Sequence, residues 1–131
     1  MKRSLIATSC GIIAAASVVG GKEKNGPLGA CFDLHDGKDN FGQKTWEKAE
    51  AEMQRRALNT ALCKGGLTET DLDAIFAGDL LNQCVGAAYG LKDFPSPYFG
   101  LYGACSTAAE GLVLSAMLTS TGIYDRTAAV A

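Results

Sequence analysis

The stretch YFGLYGACSTAAEGLVLSAMLTST, residues 98–121, decides the fold. Tyr98–Tyr102 is typical of a short strand, and the residues from Ser106 to about Thr121 predict a helix whose one charged residue is Glu110. A helix that is apolar on nearly every side is expected to be buried on every side. The stretch therefore predicts a strand, a tight turn and a buried helix, which together are a unit of an α/β fold.

The turn between strand and helix, Gly103–Thr107, carries the thiol of Cys105. Gly103 and Ala104 add little bulk, so the thiol would lie near the free backbone N–H groups and the positive dipole end of the helix. Both features favour the thiolate form of a cysteine. The same N–H groups can hold an oxyanion or a carboxylate, and several folds present a nucleophile between a strand and a helix.

Position alone does not make Cys105 functional, because many buried cysteines act only as small apolar side chains. That alternative is stronger for the cysteines without such a turn, which are Cys10, Cys31, Cys63 and Cys84. Their wide spacing argues against a zinc site and a disulfide framework, and the odd count fits a reducing compartment. The single histidine, His35, lies in a polar loop with Asp33 and Asp36, which favours a solvated residue over a catalytic base.

Further helices and strands precede this stretch. A helix is predicted from Thr45, a suitable N-cap, to about Lys64, with Gly65-Gly66 as its stop. Its apolar stripe is predicted to contain Trp46, Ala49, Met53, Ala57 and Ala61. The remaining predictions are a capping-type start at Thr68–Asp71, a buried strand at Ala74–Ala77, a helix or helical turn from Leu80 to about Leu91, and a last strand from Thr127 to Ala131.

The predicted order is β, α, β, α, β, α, β, which indicates parallel strands joined by right-handed crossovers. The fold class is therefore α/β. The sequence stops within the last strand, on Ala128–Ala131, and this predicts that the natural protein is longer than 131 residues.

The amino-terminal residues 1–20 fit two interpretations. Lys2 and Arg3 before an apolar stretch that ends near Ala14–Ala16 are typical of a secretory signal, whereas Ile and Val over roughly Gly11–Val19 are typical of a buried strand. A membrane-spanning helix is not expected, because the apolar run is shorter than the ~20 residues required. Residues 20–43 are a polar, Gly-rich connection, long enough to suggest a functional loop or one covered by a partner.

The composition excludes one class of partner. A net charge of −2 and 20% charged residues leave no basic excess for a phosphate backbone, so nucleic acid is not an expected partner. The hydrophobic content of 47% is ordinary for a globular domain.

Four stretches of the sequence resemble the stage V sporulation protein AD family. They are VVGGKEKNGPLG (18–29), FGQKTWEKAEAEMQRRAL (41–58), AGDLLNQC (77–84) and LYGACSTAAEGL (101–112). ALCKGGLTETDLDAIFAGD (61–79) and YGACST (102–107) are similar to the wider thiolase superfamily. The resemblance covers most of the chain from about residue 18, fits residues 1–10 less well, and favours a strand over a signal at the amino terminus.

The resemblance implies a thiolase-like fold of two similar halves, with residues 1–131 forming most of the first βαβαβαβ half. It implies binding of dipicolinic acid (pyridine-2,6-dicarboxylate) and support of its uptake, as the calcium chelate, into the developing spore. Integral membrane proteins of the same sporulation operon would be partners, and the protein would be cytoplasmic and peripheral at the spore inner membrane. A homodimer is also implied, with no cofactor and no protein-bound metal.

Cys105 matches the thiolase nucleophile in this resemblance, but the histidines and the second cysteine of thiolase chemistry would lie beyond Ala131. We therefore expect no Claisen-type catalysis from this chain. Dipicolinate is a flat aromatic dianion that suits helix-start N–H groups with amides and hydroxyls nearby. The predicted binding residues are Asn82, Gln83, Cys105, Ser106 and Thr107.

Asp79 and Glu110 are weaker candidates, since a carboxylate repels the ligand unless calcium bridges the two. Asn82 and Gln83 also have a structural explanation as capping or loop residues. Two other functions stay open. One is a thiolase- or ketosynthase-type acyltransferase with Cys105 as nucleophile, and the other is a non-catalytic docking subunit of a membrane complex.

Overall fold

The computed structural model of the protein describes residues 9–131. Residues 1–8, with the Lys2 and Arg3 of the signal interpretation, lie outside the described residues. The strands are β1 (Val18–Gly20), β2 (Leu34–Asp36), β3 (Ala74–Ala77), β4 (Tyr98–Gly100) and β5 (Thr127–Val130). The α-helices are α1 (Gly21–Lys24), α2 (Trp46–Gly65), α3 (Val85–Gly90) and α4 (Thr107–Ser120). The α/β class is confirmed.

A three-stranded parallel sheet in the order β4-β3-β5 forms the centre of the fold. The central strand β3 pairs Ile75 with Tyr98 on one side and with Ala128 on the other. All four of its residues are buried. Short apolar runs of this kind are typical of parallel strands covered on both faces.

The two faces of the sheet carry different helices. Ile75 and Ala77 belong to the apolar cluster that also contains Leu58 of α2 and Ala87 of α3. Ala74 and Phe76 point the other way, towards α4. Because the β3-to-β4 and β4-to-β5 connections run in opposite directions along the sheet, right-handed crossovers must place their helices on opposite faces.

Helix α2 has the predicted bounds and the predicted caps. The Thr45 hydroxyl accepts a hydrogen bond from the Lys48 N–H at 3.3 Å, and Gly66 ends the helix with a left-handed φ of 65°. Of the predicted apolar stripe only Ala49 is confirmed as buried, and the rest of the buried face consists of Gln54, Leu58 and Leu62. Trp46 is 63% exposed, whereas Ala49, in the same first turn, is 2% exposed.

Helix α4 is not buried on every side within residues 9–131, and that prediction is wrong here. Its buried residues are Thr107 and Gly111, and Leu114 and Leu118 pack against the sheet. Leu112, Val113 and Met117 are 54%, 46% and 41% exposed. The sheet covers only one side of α4, and no other described element covers the rest.

Helix α3 is shorter than predicted, because residues 80–84 form an irregular turn whose backbone is held by carboxylates. The Leu80 N–H donates to Glu50 at 2.8 Å, and the Asn82 N–H donates to Asp79 at 2.9 Å. Side-chain acceptors of this kind offer the backbone an alternative to helical hydrogen bonds.

The amino-terminal region differs from the prediction. Of the proposed Gly11–Val19 strand, only Val18 and Val19 lie in a strand; they belong to β1, which pairs in parallel with β2 in a separate two-stranded sheet. The connection 20–43 contains α1 and β2. Its acidic residues are acceptors for the backbone: Asp33 for the Ser17 N–H at 2.9 Å, and Asp36 for the Phe41 N–H at 2.6 Å. Sequence polarity suggested a loop, but these carboxylates organise the segment.

Hydropathy along the helices also bears on membrane topology. Within residues 9–131, no helix combines the length and the apolar character that crossing a bilayer requires.

The core position of Leu58 gives a first test. Leu58 is 4% exposed and Leu28 is 63% exposed. We expect Leu58→Ala to lower the free energy of unfolding of the complete protein by about 3 kcal/mol, because it removes apolar contacts and leaves a cavity. Leu28→Ala is the matched control, with an expected loss below about 1 kcal/mol. Urea denaturation followed by circular dichroism measures both, and equal losses would contradict the assignment of the core.

Candidate functional site

The candidate site lies at the carboxyl ends of β3 and β4. The chain leaves β3 towards α3 on one face of the sheet and leaves β4 towards α4 on the other. Neighbouring parallel strands whose connections depart on opposite faces leave a crevice between them, and open α/β sheets bind ligands there. We call this place the switch point; segment 78–84 borders it on one side and segment 101–106 on the other.

The two segments meet at the base of the switch point. The Leu101 N–H donates to the Ala77 carbonyl at 2.8 Å, continuing the β3–β4 ladder by one residue. A Cβ at position 78 would collide with the Leu101 carbonyl oxygen, so only glycine fits there. The Gly78 carbonyl in turn accepts a hydrogen bond from Gln54 Nε2 at 2.8 Å.

Asp79 holds segment 78–84 in place. Its side chain is buried at 5% exposure, and one carboxylate oxygen accepts from the Asn82 N–H at 2.9 Å. The other accepts from the Ala87 N–H at 2.9 Å, in the first turn of α3. Glu50 of α2 adds two more hydrogen bonds, from the N–H groups of Leu80 and Leu81. This buried carboxylate therefore has a structural role that also shapes the site.

Asn82 and Gln83 are exposed at the outer end of this segment. Gln83 and Cys84 both have left-handed backbone angles, with φ of 47° and 66°. Two consecutive non-glycine residues in this region are unfavourable and persist only where neighbouring contacts hold them. The Asp79 and Glu50 hydrogen bonds supply that restraint.

The Cys105 turn lies on the other side of the switch point. Ala104–Ser106 forms a single 3₁₀ turn, with Ala104 at φ 46°, and Cys105 is exposed. The Ser106 hydroxyl lies 2.8 Å from the Gly103 carbonyl oxygen and 2.6 Å from the Glu110 carboxylate, and its one proton can be donated to either. The Ser106 side chain does not cap α4, so it does not occupy the backbone N–H groups at the start of that helix.

The structure places four of the five predicted binding residues on accessible surface and one in the interior. Asn82, Gln83, Cys105 and Ser106 are exposed, whereas Thr107 is 2% exposed. The methyl group of Thr107 packs against Gly78, and its hydroxyl has no hydrogen-bond partner among the described residues. Thr107 thus lies beneath the site, where it supports the contact between the two segments.

The sequence did not reveal three further side chains at the switch point: Cys84, Tyr98 and Tyr102. A Cβ on Gly100 would lie 3.1 Å from Cys84 Sγ, so the thiol rests on the end of β4. The Tyr98 hydroxyl lies 3.3 Å from the Ala77 carbonyl oxygen and 3.4 Å from the Cys84 carbonyl oxygen, and its one proton can be donated to either. Tyrosines in or after a strand are ordinary core or surface residues, and only the parallel pairing brings these to Cys84.

Burial, with a smaller effect of nearby Cys84 and Asp79, raises the pKa of Tyr98 to about 12. The neighbouring Cys84 side chain raises the pKa of Tyr102. Both phenols therefore stay protonated at neutral pH and can donate hydrogen bonds.

Other polar groups lie away from this edge. His35 is in β2 and contacts Lys24 of α1. Two surface depressions, one lined by Lys38 and Trp46 and the other by Cys63 and Leu67, include none of the predicted binding residues. Among residues 9–131, no group of three His, Cys, Asp or Glu side chains converges to hold a metal ion.

Comparison with known proteins gives a consistent result. The family model for stage V sporulation protein AD matches residues 2–131. The chain is 41% identical over 112 residues to the stage V sporulation protein AD of Bacillus subtilis (strain 168), an alignment that covers 86% of this chain. It spans 33% of the length of that relative.

The Asp79 hydrogen bonds can be tested directly. Asp79→Asn replaces a carboxylate oxygen with an amide donor opposite a backbone donor, and we expect a loss of about 1–3 kcal/mol in stability. Hydrogen exchange should accelerate at the Asn82 and Ala87 amides, which donate to Asp79. Asp93→Asn, at an exposed position, is the control. Unchanged exchange at both amides would show that Asp79 does not hold the segment.

The raised pKa of Tyr98 predicts a loss of stability in base. Because the folded-state pKa is about 12, above the ordinary value of 10.0, the stabilisation is complete below pH 10 and declines towards pH 12. Urea midpoints at about pH 9 and about pH 11 should therefore differ more in wild type than in Tyr98→Phe. Tyr89→Phe, at a 70% exposed position, should behave as wild type. Equal pH dependence in all three proteins would contradict this assignment.

Proposed function

The chain belongs to the stage V sporulation protein AD family, and from that premise we propose that it binds dipicolinate and supports its uptake into the developing spore. The observation that carries the proposal is the switch point, where exposed polar side chains from two loops border the ends of parallel strands. A small aromatic dicarboxylate has the size and hydrogen-bonding needs that suit such a crevice.

The charges near the switch point favour the calcium chelate over the free dianion. From Gly78 to Asp125 the sequence contains one basic residue, Lys92, while Asp79 and Glu110 lie in or beside the site. A free dianion bound beside the Cys105 turn would lie near the exposed carboxylate of Glu110. Calcium bound to the ligand would cancel its charge and is a hard cation that carboxylate oxygens can approach.

Acyl transfer is the less favoured proposal. Cys105 is exposed and could be acylated, but a cysteine nucleophile needs a base within hydrogen-bonding distance. The single histidine of the sequence, His35, lies in β2 of the small amino-terminal sheet and contacts Lys24 of α1. Binding without catalysis is therefore the function we propose for this chain.

A docking role is a second candidate, and the exposed side of α4 favours it. Leu112, Val113 and Met117 are exposed apolar side chains on this side, and exposed apolar patches are typical of interaction surfaces. We propose that this surface is covered in the complete protein or in a homodimer. We also propose that integral membrane proteins of the same sporulation operon hold the assembly, from the cytoplasmic side, at the spore inner membrane.

Calorimetric titration of dipicolinate into the complete protein, with and without calcium, tests the binding proposal. We expect binding that is tighter with calcium and at least fivefold weaker in Cys105→Ala, because the substitution removes a group at the site. Cys63→Ala is the matched control, since that cysteine is exposed on α2. Absence of heat under every condition, with rapid acylation of Cys105 by an acyl-coenzyme A, would contradict binding and favour the acyltransferase.

A further inference from the structure

We propose that Glu110 determines the charge selectivity of the switch point: its carboxylate repels a free dicarboxylate and contacts the cation of a calcium chelate. This inference rests on the proposed function and names the side chain that makes binding depend on calcium. The structure holds this carboxylate against the Cys105 turn, at the start of α4.

Glu110 lies in the first turn of α4, and its side chain reaches back to the turn that precedes the helix. One carboxylate oxygen lies 2.6 Å from the Ser106 hydroxyl oxygen. A Cβ on Gly103 would collide with both carboxylate oxygens, so the carboxylate lies directly against a residue without a side chain. Glu110 therefore places a negative charge at the end of α4 where the helix dipole favours an anion.

The Ser106 hydroxyl proton is available to Glu110. The Gly103 carbonyl already accepts a hydrogen bond from the Ser106 N–H at 2.9 Å, so it does not need the hydroxyl as a donor. The 2.6 Å between the hydroxyl and the carboxylate is also the length expected of a hydrogen bond from a hydroxyl to a charged oxygen. A ligand carboxylate that approaches this turn consequently meets a like charge and a donor that is already engaged.

The other carboxylates near the switch point are engaged with the backbone. Asp79 is 5% exposed, and its two oxygens accept hydrogen bonds from backbone N–H groups. Both oxygens of Glu50 do the same for segment 78–84. Glu110 is exposed and contacts a hydroxyl instead. It is therefore the carboxylate that a ligand bound at the Cys105 turn would meet.

The same carboxylate suits the calcium chelate. Calcium takes more oxygen ligands than one dipicolinate molecule supplies, and carboxylate, hydroxyl and carbonyl oxygens all serve. Glu110, Ser106 and Gly103 bring one oxygen of each kind together at this turn. Because a single carboxylate is a weak calcium site, the cation would arrive with the ligand and then contact Glu110.

Three variants of the complete protein test this inference. Glu110→Gln removes the charge and keeps an oxygen that can accept from Ser106, whereas Ser106→Ala removes the hydroxyl and keeps the charge. Glu69→Gln is the matched control, because Glu69 is exposed in the turn before β3, at the opposite end of the sheet. Calorimetry measures dipicolinate affinity with excess calcium and with a calcium chelator, and thermal unfolding verifies that each variant is folded.

Wild type should prefer the calcium chelate. Glu110→Gln should strengthen binding of the free dianion and weaken binding of the chelate by about threefold each, the size of an exposed charge interaction, so that the preference falls about tenfold. Ser106→Ala should weaken both forms and leave the preference unchanged, and Glu69→Gln should bind as wild type.

Two results would overturn the inference and leave dipicolinate binding intact. One is an unchanged preference in Glu110→Gln, or the same shift in Glu69→Gln. The other is a wild type that binds the free dianion more tightly than the chelate. Absence of binding by the wild type under both conditions would overturn the proposed function as well.

Discussion

The buried carboxylate of Asp79 is the interaction on which the candidate site depends. It follows the fully buried strand β3 with only Gly78 between, and its two oxygens accept hydrogen bonds from the backbone N–H groups of Asn82 and Ala87. A buried carboxylate with its lone pairs satisfied by N–H groups restrains the backbone around it. Without it, the strained turn at Gln83 and Cys84 would lack its main support.

The order of the strands in the sheet places this restrained segment beside a crevice. Strand β3 is central, its connection leaves towards α3, and the connection from the neighbouring β4 leaves towards α4. Gly78 and Gly100 allow the two connecting segments to approach closely, since a side chain at either position would meet the opposite segment. Polar side chains from both segments consequently lie at one end of the sheet, where a small ligand can contact both.

Much of the fold could be predicted because local signals and tertiary packing agree. Thr45 and Gly66 cap α2 as their residue types suggest, and the apolar run Ala74–Ala77 is the central strand. The prediction for α2 placed its buried face incorrectly because small residues such as Ala57 and Ala61 satisfy the helical period as well as Leu58 and Leu62 do. Only packing against α3 and the sheet distinguishes the two stripes.

The site could be predicted only in part. Cys105 and Asn82 lie in recognisable turns, but the position of Cys84 depends on the pairing of β4 with β3 and on the absence of a side chain at Gly100. Such contacts between distant segments leave no periodic pattern in the sequence. The burial of Thr107 likewise follows from its packing against Gly78, which a turn motif does not reveal.

The most direct test of the account is a crystal structure of the complete protein grown with dipicolinate and calcium. The account predicts ligand density between segments 78–84 and 101–106, with the ring of the ligand close to Cys105. Ordered ligand at any other place on the protein, with the switch point occupied only by water, would contradict it.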